Sequence, residues 1–63
     1  MDNKYTLEII FLRGTPYKYN FTTLEEAAEA YDFARSPVGV SRYPSMVAVQ
    51  LRKNGTPLAS TTV

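Results

Sequence analysis

The sequence predicts an α+β fold: a four-stranded antiparallel sheet in the order β-β-α-β-β, with one helix packed on one face. Three observations carry that prediction. Residues 4–12 and 17–22 alternate apolar and polar side chains about a turn marked by Gly14 and Pro16. A helix-start signal, Thr23-Leu24-Glu25-Glu26, opens an apolar stripe at helical spacing. Asn54-Gly55 then joins two further strand-like runs, at 45–53 and 56–62.

In the first strand, Tyr5, Leu7, Ile9 and Phe11 share one face, and Lys4, Thr6 and Glu8 the other. In the second, Tyr17, Tyr19 and Phe21 oppose Lys18, Asn20 and Thr22. The helix is expected over 24–35. Thr23 caps its first N–H groups, and Glu26 three residues on completes a capping box. Glu25 and Glu26 also suit the positive end of the helix dipole. Leu24, Ala27, Ala28, Tyr31, Ala34 and the stem of Arg35 form its inward stripe. Pro37 ends it, because the residue before a proline is pushed out of the helical region.

Residues 36–44, bounded by Pro37 and Pro44, read as a loop. The third strand is expected to turn Val47, Val49 and Leu51 inward. The fourth contains Pro57, which cannot donate to a ladder, so it belongs at an edge. The helix stripe must cover one face of the sheet. A right-handed crossover follows, and the apolar first strand goes to the middle, giving the order 2-1-3-4.

Composition narrows the chemistry. A chain of 63 residues forms a single domain, here residues 1–63. With neither cysteine nor histidine it lacks disulfides, thiolate ligands and the commonest general base. The three glycines are isolated turn residues rather than a phosphate cradle. The reading is therefore a non-enzymatic protein with no cofactor. No apolar run approaches the ~20 residues of a membrane span. The opening residues lead straight into a strand pattern, so a cytoplasmic protein is expected.

Charge is segregated. Four of the six acidic residues, Glu25, Glu26, Glu29 and Asp32, fall in one window, and all seven basic residues lie outside it. Such a face is either solvated or a docking surface. Phe33 points away from Leu24 on a helical wheel, beside Glu26 and Glu29. It is covered by the 37–44 segment or else serves as an aromatic anchor. Glu25, Glu29, Asp32 and Phe33 are thus the candidate protein-binding residues. Lys18, Arg42, Tyr43, Arg52 and Lys53 form an alternative nucleic-acid-binding set. Ile10, Leu12, Met46 and Ala48 would make an apolar patch on the uncovered sheet face, which opens the third possibility of a self-associating homodimer.

The stretch Phe21-Thr22-Thr23-Leu24-Glu25-Glu26-Ala27-Ala28, followed by Ser36-Pro37-Val38-Gly39-Val40, resembles a class of very small phage and mobile-element inhibitor proteins. These place a strand hairpin before a T-L-E/D-E-A helix and return to a strand. Residues 17–50 are similar in layout to the podophage inhibitors of host RNA polymerase, and small anti-CRISPR proteins share it. The chain departs from them in its fourth strand after Asn54-Gly55. The resemblance implies a protein that binds a host machine and blocks it without catalysis.

Overall fold

The computed structural model describes residues 3–62. Strands β1 (Tyr5–Phe11) and β2 (Tyr17–Phe21) lead into helix α1 (Leu24–Ala34). A short helix α2 (Pro37–Arg42) precedes β3 (Met46–Lys53) and β4 (Thr56–Thr62). The sheet is antiparallel with the order β2-β1-β3-β4. Both hairpins, the central position of β1 and the edge position of Pro57 agree with the sequence reading.

Local chemistry sets the boundaries. The Thr23 hydroxyl accepts a hydrogen bond from the Glu26 N–H at 3.2 Å, which leaves one fewer orphan donor at the start of α1. Only this half of the expected capping box forms among the described residues. Replacing Thr23 with alanine is expected to cost about 1 kcal/mol in a chemical denaturation experiment. In the second hairpin, Asn54 (φ 51°) and Gly55 (φ 87°) both adopt the positive φ of a type I′ turn. The Asn54 side chain also accepts from the Lys4 N–H at 2.9 Å, which ties the turn to the start of β1.

The core lies between α1 and the two middle strands. Tyr5, Leu7 and Ile9 of β1, Met46, Val49 and Leu51 of β3, and Ala27, Tyr31 and Ala34 of α1 are buried together. The line of closest approach runs through Ala27 and Ala34, whose small side chains let the helix backbone come near the sheet. Tyr31 reaches sideways and hydrogen-bonds to the Thr61 hydroxyl on β4.

Three sequence expectations are corrected. The 36–44 segment is not a plain loop, because it contains α2. The proline that ends α1 also begins the next helix: Pro37 sits in the first turn, and the Ser36 hydroxyl caps it by accepting from the Gly39 N–H at 3.2 Å. Next, Met46 rather than Val47 enters the core. The β1–β3 register shifts between Ile10 and Phe11, pairing Phe11 with Met46, and one extra residue in a strand reverses the alternation beyond it. The expected patch on the open face therefore loses Met46. Finally, Leu24 is 51% exposed, since it lies in the first turn, off the Ala27–Ala34 line.

Candidate functional site

A single helix is about 10–12 Å wide, whereas four strands about 4.8 Å apart span more than that. Helix α1 has its closest line over β1 and β3, and its alanines add no width. The core face of β2 is consequently left open. Tyr17 and Tyr19 are exposed and Phe21 is half-buried. An apolar groove runs between α1 and β2. Leu7 and Ile9 form its floor, Tyr19, Phe21 and Tyr43 one side, and Ala30, Phe33 and Ala34 the other.

Phe33 stands on the rim of this groove and is 42% exposed. Helix α2 does fold back toward it, but it meets the backbone rather than the ring. The Ser36 hydroxyl donates to the Phe33 carbonyl at 2.6 Å, and Gly39 lies against the Phe33 and Ala34 carbonyls. The ring itself remains available.

On the outer side of α1, Glu25, Glu26, Glu29 and Asp32 are all exposed. Asp32 is not a free carboxylate: it pairs with Arg35 one turn on, at 2.9 Å, and Arg35 in turn lies over the Tyr31 ring at 5.1 Å. Asp32 thus helps hold the end of the helix. Glu25 and Glu29, at i and i+4, have no cationic partner among the described residues. They leave a negative strip beside Phe33.

The alternative nucleic-acid set does not converge. Lys18 and Arg52 lie on the open sheet face, where Lys18 is in register with Glu8. Arg52 pairs with Glu8 at 3.1 Å, and Glu8 is buried by its neighbours to 8% exposure. Lys53 is on the opposite face, with its ammonium over the Tyr5 ring at 6.0 Å. Arg42 ends α2, and Tyr43, its C-cap, packs its ring near Phe11 and Tyr17. Five residues read as one basic surface are thus divided between the two faces of the sheet, and one of the cations is neutralised.

The tyrosines of β2 are the exposed residues of this candidate surface that sequence reasoning missed, since alternation assigned them to the core. The narrow Ala27/Ala30/Ala34 stripe was the available signal. The Tyr19 phenol is pushed above its usual pKa, first by hydrogen bonding with Tyr43, then by partial burial and by the neighbouring Tyr43 and Tyr17 hydroxyls; Arg42 opposes the shift.

Comparison with protein-family models, curated proteins and solved structures found no match. Among the described residues, no His, Cys, Asp or Glu cluster of three or more could hold a metal ion. No helix is long and apolar enough to cross a membrane.

Proposed function

We propose that this chain is a non-enzymatic, cytoplasmic protein-binding domain that docks on a larger host assembly and blocks it. This is the mode of action of the small phage and mobile-element inhibitors that its 17–50 stretch resembles. The target would be of the RNA polymerase or CRISPR-complex type. The observation that carries the reading is Phe33, an aromatic ring left on the rim of an open apolar groove with Glu25 and Glu29 beside it. Aromatic anchors dominate interface energies when they enter a pocket on the partner. The matching partner surface is apolar at its centre and basic at its edge, because complementary potentials speed encounter and fix register.

The test is direct binding to the purified host assembly, with inhibition of its activity as a second readout. Phe33→Ala is expected to weaken binding by roughly 30-fold or more, the range of an interface hot spot. Reversing charge at Glu25 and Glu29 should slow association and remove its salt dependence. Both variants should stay folded at the assay temperature, with melting midpoints a few degrees below the parent, because the Phe33 ring is more than half covered and Glu25 favours the first turn of α1. Parent-like affinity in both would refute this surface, and a parent protein that binds neither type of assembly would refute the function.

A further inference from the structure

A second concavity lies at the other side of Tyr43, between the β1–β2 turn and the end of α2. Phe11, Tyr17 and Tyr43 supply its rings, and Arg13 and Arg42 its charges. No carboxylate lines it. The rings brace one another edge to face: Phe11 and Tyr17 at 4.8 Å between centroids, Tyr17 and Tyr43 at 6.2 Å. Tyr17 is nevertheless 50% exposed, so it offers ring surface at little further entropic cost.

The four arginines divide cleanly. Arg35 is committed to Asp32 and Arg52 to Glu8. Arg13 and Arg42 make no ion pair among the described residues and are exposed. The two uncommitted guanidinium groups are therefore the two that flank the aromatic cluster. Guanidinium forks match phosphate oxygens, and exposed tyrosine rings match the flat face of an unpaired base.

We infer that this cup binds single-stranded nucleic acid, with a base stacked on the Tyr17–Tyr43 cluster and adjacent phosphates held by Arg13 and Arg42. A duplex hides its bases from the rings. An acidic peptide satisfies the arginines but gives the rings no flat partner. The site differs from the basic set read from the sequence: it keeps Arg42 and Tyr43, adds Arg13 and Tyr17, and excludes Lys18, Arg52 and Lys53. It opens on the other side of Tyr43 from the Phe33 groove and shares only that ring with it, so Tyr17 and Arg42 test the cup alone.

The test is fluorescence anisotropy with labelled oligo(dT) and oligo(U) of about 12 nucleotides. Saturable binding is expected at about 50 mM salt, weakening about sevenfold by about 200 mM if two phosphates are neutralised. Tyr17→Leu should weaken it about tenfold. Arg42→Ala should weaken it and also cut the salt effect to about threefold, the value for one remaining phosphate contact. Lys18→Ala, on the open sheet face, should leave affinity unchanged. Circular dichroism checks that each variant is folded. The proposal is overturned by absent binding at the lower salt, or by Tyr17→Leu and Arg42→Ala that bind like the parent. Loss on Lys18→Ala alone, tighter binding of the equivalent duplex, or preference for a poly-glutamate peptide would overturn it equally.

Discussion

Replacing Gly39 with alanine is expected to lower the melting midpoint by roughly 5–20 °C. The added methyl would collide with the Phe33 carbonyl oxygen and stand 2.7 Å from that of Ala34. Both belong to backbone in the last turn of α1, which has no flexible end to yield. Overpacking of this kind costs about 1–3 kcal/mol, and each kcal/mol shifts the midpoint of so small a domain by about 4–8 °C. Helix α2 would be displaced, and Arg42 and Tyr43 with it. Loss of the near-ultraviolet dichroism of the tyrosine cluster should therefore accompany the drop in stability. Gly14→Ala is the control. Its φ of 97° is unfavourable for alanine, but an added methyl there meets nothing within 4 Å, so only about 1–2 kcal/mol of conformational cost is expected. Its tyrosine signal should stay intact. A Gly39→Ala protein with an unchanged midpoint would show that α2 does not sit against α1 as described.

Ile9→Ala is expected to do more damage still. Ile9 is 1% exposed, and its register neighbours are Tyr17 on β2 and Val49 on β3. Truncation of a buried isoleucine to alanine costs about 2–5 kcal/mol. At about 0.05–0.15 kcal/mol per residue, the total stability of 63 residues is only about 3–9 kcal/mol. At the middle of both ranges the urea midpoint should fall by about half, and the weaker end of the stability range leaves an unfolded chain. Ile9→Val should cost about 0.5–1.5 kcal/mol. Ile10→Ala, one residue along on the open face and only half-buried, should cost less than Ile9→Ala. Equal losses at the two positions would contradict the assignment of faces in β1.

These expectations rest partly on what could be read from the chain and partly on what could not. The strand alternation at Tyr5–Phe11, the Thr23 cap and the Asn54-Gly55 turn are interactions among near neighbours, so a linear reading finds them. The same is true of Pro37, although only half of its role was legible. That a second helix starts there depends on Gly39 finding a backbone to lie against, which requires the end of α1 to be in place. The candidate site was legible to a similar degree. Glu25, Glu29 and Phe33 are exposed on α1 as the wheel places them. Asp32 is taken up by Arg35, and the basic set is scattered, because sequence proximity in charge says nothing about which face of a sheet a residue occupies.

By itself, then, the sequence determined the four strands and helix α1, the strand order β2-β1-β3-β4 and the acidic outer face of α1. Periodicity, capping and turn chemistry are local, and the few ways of covering one sheet with one helix complete the topology. Only the tertiary structure decided that Met46 enters the core in place of Val47, because the register shift against Phe11 is a property of two strands together. It also decided that Tyr17 and Tyr19 stand open beside Phe33 and Tyr43. The alanine stripe draws α1 down over β1 and β3, and a helix that narrow cannot reach across β2 as well.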